Sequence, residues 1–507
     1  MTRLTLTGHD LRLAQFRELD IRRPSVVLAD QARHAMQASV DAVRKVIDTA
    51  QVCYGINTGF GALARQHISR DRLTQLQYNL VRSHACGVGE PLPAAVVRRI
   101  LLLKANSLAI GNSGIRPEVV ETLLALFNHD VLPVIPSQGS VGASGDLAPL
   151  AHMTLALIGE GEAMHQGKRL EGAAVLKAAG VKPVQLEAKE GLALLNGTQL
   201  SAALAIQGWI GAERALAGSM ALGALTLEAL AGSYSPFDAR IHEVRNMHGQ
   251  IQVAERFRSL LTGSEIWRSH QGCDRVQDPY ALRCMPQVYG AVWDTLRHAQ
   301  AVLERELNSV SDNPLIFGDD VLSGGNFHAE PLAFVSDFMA IAMAELGNIA
   351  ERRIDLLLRK VNPRLPMFLA KDAGLESGFM IAHVTAAALA SENKTLAHPA
   401  SADTVPTSAG QEDHVSMAPW AGIKLNRILG NVFHILGVEA LAAAEAIDLQ
   451  RPLTTTAQLE SLHGAIRSRV PQAGGDRRLD RGISSLAACL GDGSLLGEAT
   501  PAFGQLF

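Results

Sequence analysis

The sequence predicts a mainly α-helical fold: a long bundle of parallel and antiparallel helices with a smaller, mixed N-terminal region. Three observations carry this. Hydrophobic residues make up 47% of the 507-residue chain, yet aromatics supply only 5%. The apolar content is therefore mostly Ala, Leu, Val and Ile, which suits closely packed helices better than aromatic-rich sheet. From Ser201 to Ser233 the chain is an almost unbroken run of Ala, Leu and Gly, and small residues at that density let helix backbones approach closely. Charged residues are only 19%, below the roughly one quarter usual in soluble domains, which points to extensive buried surface, including surface between subunits.

The elements follow in order. Residues 1–50 read as a short β-like start and then a helix, with amphipathic spacing from Asp30 to Ala50. In Val52 to Gly61, three glycines with Asn57 and Thr58 mark a loop. A helical pattern resumes from Arg70 and reaches His84, just before the Gly87-Val88-Gly89 break. Leu101–Leu108 and Glu118–Phe127 are expected helices, and Pro133 and Pro136 end regular structure after them. Gly139 to Leu147 is a run of small residues that opens onto an apolar helical pattern, Leu147–Ile158. Residues 160–190 are expected to hold short strands and turns. Asn196-Gly197, after an apolar run, reads as a turn. Pro331–Arg353 and Ala418 to about Leu449 are expected helices, and the tail to Phe507 carries no functional motif. No repeat or low-complexity linker interrupts the chain. It reads as one catalytic unit with a soft division near residue 200, into a region 1–200 and a helical bundle 201–507.

The bulk numbers exclude several classes. A net charge of −4 gives no basic surplus for nucleic acid. Five cysteines with no C-x-x-C pair fit a reduced, cytoplasmic protein without structural zinc. The N-terminus lacks the apolar core of a signal peptide. Ala215–Leu227 is shorter than a membrane span and is flanked by Glu213, Arg214 and Glu228, so no membrane is expected. His328 and Glu330 are metal-ligating types, but no second His lies nearby in the sequence, and no metal is expected.

The chemistry concentrates in Ala143-Ser144-Gly145. Gly145 has no Cβ, so its amide nitrogen is unhindered and its backbone can fold back sharply. That nitrogen can attack the Ala143 carbonyl carbon and close a five-membered ring. Loss of water across the Ser144 Cα–Cβ bond then leaves an exocyclic methylene, an electrophile that no ordinary side chain provides. The everyday reading is that Ser144 is a helix N-cap in a glycine turn. A G-x-S-x-G nucleophile elbow fails because Asp146 stands two residues after Ser144. A phosphate loop fails because no Lys follows the glycines.

The stretch Ser140-Val141-Gly142-Ala143-Ser144-Gly145-Asp146-Leu147-Ala148-Pro149-Leu150 resembles the signature of the aromatic amino acid ammonia-lyases. In that family the Ala-Ser-Gly triplet cyclises by itself to 4-methylideneimidazole-5-one (MIO), with no external cofactor and no metal. The resemblance runs from Tyr54 to Met417 by motifs. Tyr54-Gly55-Ile56-Asn57-Thr58-Gly59-Phe60-Gly61 resembles the family loop whose tyrosine is the catalytic base. Leu194-Leu195-Asn196-Gly197-Thr198 makes Asn196 a hydrogen-bond donor beside the ring. Gln277-Asp278-Pro279-Tyr280-Ala281-Leu282-Arg283 implies Gln277, Tyr280 and Arg283 as site residues. An arginine fork matches a substrate carboxylate bidentately. Phe327 is implied to pack beside the ring, and Asp146 to assist its closure.

Ser83-His84 and Gln411-Glu412-Asp413-His414 resemble the histidine-directed branch, in which His84 and Glu412 would contact a substrate imidazole. One departure is Gly410, where that branch carries Asn. The resemblance implies L-histidine as substrate, trans-urocanate and ammonia as products, and a homotetramer whose sites draw on several subunits. Two alternatives remain: a tyrosine- or phenylalanine-directed lyase or aminomutase of the same chemistry, and a helical assembly with a dead site.

Overall fold

The computed structural model describes residues 3–49, 51–272, 275–499 and 506–507. Ala50, at the expected end of the first helix, and Cys273 lie outside them. Long helices dominate: Gln199–Ala229, Met285–Glu306, Glu330–Leu358 and Ala418–Asp448. Strands among the described residues form small sheets of two or three strands, so the mainly α class read from composition is the class observed. Glu330–Leu358 and Ala418–Asp448 are long and apolar enough to cross a membrane by length and composition, and 72% and 78% of their apolar windows are buried inside the structure. Helices that are apolar all round are what a large protein core requires. The described cysteines Cys53, Cys86, Cys284 and Cys489 are free.

The chain forms two compact units, each from three segments. The first comprises Met1–Gln207, Gln300–Ser336 and Pro399–Ile423; the second comprises Gly208–Ala299, Asp337–His398 and Lys424–Phe507. A cut near residue 200 thus describes only the first passage of the chain between units. The two later returns have no signature in composition.

In the first unit, Arg3–Leu6 pairs in parallel with Ser25–Leu28. Helix Asp30–Asp48 buries Ala32, Met36, Val40 and Val43, the spacing of one helical face. Residues 160–190 hold the antiparallel strands Glu162–His165 and Lys168–Glu171. They also hold a helix, Ala173–Ala178, too short to leave a periodic trace. Three helices, Leu73–His84, Leu147–Ile158 and Glu190–Leu195, pack against one another. Strand Val88–Pro91 follows the first of these and pairs antiparallel with Pro136–Gln138, which leads into the glycine-rich loop. Local sequence order thereby brings the C-terminus of one helix beside the N-terminus of another.

Beneath this arrangement lies a buried cation. Lys104 sits in helix Ala94–Ala109, whose residues from Val96 onward are buried. Its Nζ donates to the Asn196 carbonyl over 2.6 Å and to Gln199 Oε1 over 3.4 Å. Burial pulls its pKa down to about 7, against the opposing pull of Asp312.

In the second unit, Arg353 and Glu439 are fully buried and form a two-point pair, at 2.6 and 2.8 Å. Glu439 also accepts from Thr226 Oγ1 at 2.9 Å. The tail after Asp448 folds into helices Ala457–Arg469 and Asp480–Asp492. These went unread in sequence because their charged residues dilute the apolar pattern.

Two stability outcomes follow. Glu439→Ala strands the Arg353 charge in the core and should cost about 3–5 kcal/mol in denaturant unfolding, with Glu439→Gln costing less. Lys104→Met removes the donor to the Asn196 carbonyl and should cost about 1–3 kcal/mol for an unsatisfied buried acceptor, offset in part by relief of a buried ammonium. A stability unchanged from wild type would show that the carbonyl has another partner.

Candidate active site

The Gly139–Asp146 loop is clamped from two sides. Asp146 N donates to the Gly197 carbonyl over 2.7 Å, and Gly145 pairs with Gly197 as an isolated parallel bridge. Gly145 has φ +72°, and a Cβ there would overlap the Gly197 carbonyl oxygen. Only glycine satisfies both conditions. On the other side, Met417 N donates to the Val141 carbonyl over 2.9 Å and Ser416 Oγ to the Gly142 carbonyl over 3.2 Å. A Cβ on Gly142 would overlap Ser416 Oγ.

Asp146 stands at the N-cap of helix Leu147–Ile158, but its side chain serves a different helix. It accepts from Ser201 N at 2.9 Å, Ser201 Oγ at 3.0 Å and Ser140 Oγ at 3.1 Å. Ser201 lies in the first turn of Gln199–Ala229, where amide hydrogens lack helical partners. Burial raises the Asp146 carboxyl to about 6, although the serine donors oppose it. Helices Leu147–Ile158, Gln199–Ala229 and Ala418–Asp448 all start from segments that bind one another here. Their N-terminal dipoles favour negative charge at the loop.

Ser144 faces a cavity of about 470 Å³, within the usual range of small-ligand sites, about 300–1,000 Å³. Tyr54, His84, Asn196 and Glu412 line it with Ser144. Ser144 Oγ donates to Glu412 Oε1 over 2.7 Å. The other Glu412 oxygen accepts from Thr407 Oγ1 and Ser408 Oγ, each at 2.7 Å. Burial raises the Glu412 carboxyl, but these three hydroxyls and the nearby His84 outweigh it and hold the group below its usual value. Glu412 is therefore a carboxylate at neutral pH.

His84 ends helix Leu73–His84. Its Nδ1 lies 2.8 Å from the Leu80 carbonyl. A carbonyl only accepts, so Nδ1 carries the proton and Nε2 is an acceptor in the neutral ring. Burial lowers the pKa of His84, partly opposed by the Leu80 carbonyl and the Glu412 charge. Tyr54 sits in a tightly braced turn. Asn57 Oδ1 accepts from Cys53 N at 2.9 Å, Asn57 Nδ2 donates to Gln51 O over 2.8 Å, and the Tyr54 hydroxyl accepts from Gly61 N at 3.4 Å. Among the described residues, Asn196 Oδ1 is buried with no hydrogen-bond partner.

The structure thus gathers Tyr54, His84, Ser144, Asn196 and Glu412 around one cavity. Ala143 and Gly145 flank Ser144 in the loop. Gln277, Tyr280 and Arg283 belong to the second unit and do not line this cavity in the single chain. Tyr280 is 70% exposed, and the Arg283 guanidinium lies 4.6 Å from its ring centroid. Phe327 is half-buried in the first unit and is also absent from the lining. Reading the motifs alone missed Lys104, Thr407, Ser408, Ser416 and Met417. A lysine inside the apolar run Ile100–Ala105 was the one available signal. The others act through backbone or hydroxyl groups that carry no pattern. It also missed that His414, 86 positions on, lies 3.5 Å from His328.

Residues 11–468 match the aromatic amino acid lyase family. The chain is 54% identical over 492 residues to a histidine ammonia-lyase of Burkholderia cenocepacia (strain HI2424), covering 96% of this chain and 97% of that one. Its structure is similar to that of histidine ammonia-lyase from Trypanosoma cruzi, with TM-score 0.91, 41% identity, and coverage of 99% of this chain and 96% of that one. It is also similar to tyrosine aminomutase from Streptomyces globisporus, with TM-score 0.92, 36% identity and 98% of each chain covered. The chain belongs to the aromatic amino acid lyase family and is an ammonia-lyase, a carbon–nitrogen lyase.

Proposed function

We propose that the protein eliminates ammonia non-oxidatively from L-histidine to give trans-urocanate, the opening step of histidine degradation, as a cytoplasmic homotetramer. The observation that carries this reading is the cavity itself. It sets Ser144 opposite a neutral imidazole acceptor, His84 Nε2, and an ionised carboxylate, Glu412. A protonated substrate imidazole can donate an N–H to each, and the neutral ring can donate to one of them. A phenyl ring can donate to neither, and burying both acceptors against it would cost about 1–3 kcal/mol each. That difference favours histidine over phenylalanine. Fold similarity does not make this choice, since a tyrosine aminomutase shares the fold.

The loop geometry supports assigning MIO to Ala143-Ser144-Gly145. The side-chain-free turn at Gly145 and its link to Gly197 suit a compact group built from the backbone. That group, formed from the chain without an external cofactor, would supply the electrophile that activates the substrate amine as a leaving group. Asp146 supports the turn by fixing Ser140 and Ser201.

The remaining chemistry falls to ordinary side chains. Tyr54, on the cavity wall, takes the substrate Cβ proton as its phenolate. Its phenol then holds that proton while the C–N bond breaks. His84 and Glu412 orient the imidazole. Asn196 offers its amide to the electrophile's oxygen. Arg283 holds the substrate carboxylate, with Gln277, Tyr280 and Phe327 closing the site. These last four are not among the residues lining the Ser144 cavity, and a homotetramer whose sites draw on several subunits would accommodate them. The exposed Tyr280, stacked by Arg283, is a surface suited to such a contact.

The direct test follows urocanate by ultraviolet absorbance from L-histidine, with L-tyrosine and L-phenylalanine in parallel. Wild type should make urocanate and Ser144→Ala should not. Product from tyrosine or phenylalanine alone would keep the chemistry and overturn the substrate. His84→Leu should lower kcat/KM for histidine about tenfold or more, the loss of one buried hydrogen bond to a polar ring. An unchanged value would remove His84 from the selectivity argument. By ring-carbon NMR, His84 should titrate below the usual 6.5. Glu412→Gln should lower it further, because the lost carboxylate charge is one of the influences raising it; an upward shift would contradict the assigned proximity.

A further inference from the structure

We propose that His328, Glu330 and His414 form a binding site for one divalent transition-metal ion of the zinc class. The three come from two stretches of the first unit. His328 lies in the turn after strand Asp320–Leu322, Glu330 begins helix Glu330–Leu358, and His414 lies in the segment that carries Glu412. His328 Nε2 and His414 Nδ1 are 3.5 Å apart, with ring centroids 5.5 Å apart and planes at 33°. A carboxylate oxygen of Glu330 and one ring nitrogen of each histidine lie within 4.8 Å of one another.

The separation is informative. Two imidazole nitrogens bound to one tetrahedral ion at about 2.0–2.1 Å stand about 3.3–3.4 Å from each other. The two rings are therefore already at nearly the ligating distance. As a hydrogen bond between two nitrogens, 3.5 Å is beyond the favourable range, so that contact alone explains the approach poorly. Two imidazoles and a carboxylate form a mixed nitrogen–oxygen set suited to zinc and its neighbours. Three protein ligands leave a coordination position for water, and the exposure of His414 gives solvent access. None of the three lines the Ser144 cavity, and the site does not depend on the substrate assigned above.

An ion here would tie two segments of the first unit together. One is the start of helix Glu330–Leu358. The other is the Thr407–Met417 segment, which supplies Glu412 to the cavity and Ser416 and Met417 to the glycine loop. The ion would act as a brace, not as a reactant.

The test uses the full-length protein, treated with chelator and with its thiols blocked so that cysteine cannot bind the metal. Equilibrium dialysis against Zn²⁺ should give one equivalent per chain. Co²⁺ in its place should give visible ligand-field bands without thiolate charge-transfer absorption. His328→Gln and His414→Ala should each lose that equivalent while keeping wild-type circular dichroism, and Glu330→Gln should weaken it about tenfold or more. Zn²⁺ should raise the Tm of the wild type and not that of the histidine variants. Absence of uptake by the wild type, or equal uptake by either folded histidine variant, would overturn the proposal. Should one variant fail to fold, the other decides.

Discussion

The close approach of two backbones, Gly145 to Gly197, is the constraint on which the rest of the site depends. It needs a residue without Cβ at positive φ, and it fixes where two helices begin. The carboxylate of Asp146, next in the chain, spends its hydrogen bonds on Ser201 and Ser140. One buried acid thus ties the loop to the helix that follows Asn196. Lys104 holds the Asn196 carbonyl from below. The Ser144 loop is positioned by backbone groups and buried ions, leaving its own side chain directed at the cavity.

A second consequence is electrostatic. Three helix N-termini meet at the loop, and the cavity they border carries an ionised Glu412 beside a neutral His84. The two side chains have opposite burial problems. The Thr407 and Ser408 hydroxyls, which the loss of water from Ser144 leaves in place, compensate Glu412. Burial of His84 is only partly compensated and keeps it uncharged. A pair of acceptors results. Such a pair suits a ring that donates hydrogen bonds, as the proposed substrate does.

Much of the fold and part of the site were legible in the sequence. Long helices were readable because Ala and Leu repeat over many turns, as in Gln199–Ala229. Tyr54, His84, Ser144, Asn196 and Glu412 were each singled out by motif, and folding brings all five to one cavity. What was not legible depends on distance along the chain. The meeting of His328 with His414 joins positions 86 apart, and no local pattern announces it. Thr407, Ser408, Ser416 and Met417 act through hydroxyls and amides that look like ordinary loop residues. Gln277, Tyr280, Arg283 and Phe327 carry readable motifs but are not among the residues that line the Ser144 cavity.

The central claim is that the Ala143-Ser144-Gly145 turn becomes an electrophile. Intact-mass and peptide mass spectrometry test it most directly. The account predicts that the peptide containing these residues is lighter than its sequence by the waters lost in ring closure and dehydration, and that Ser144→Ala lacks the dehydration. A wild-type peptide at its full unmodified mass, in folded protein, would contradict it.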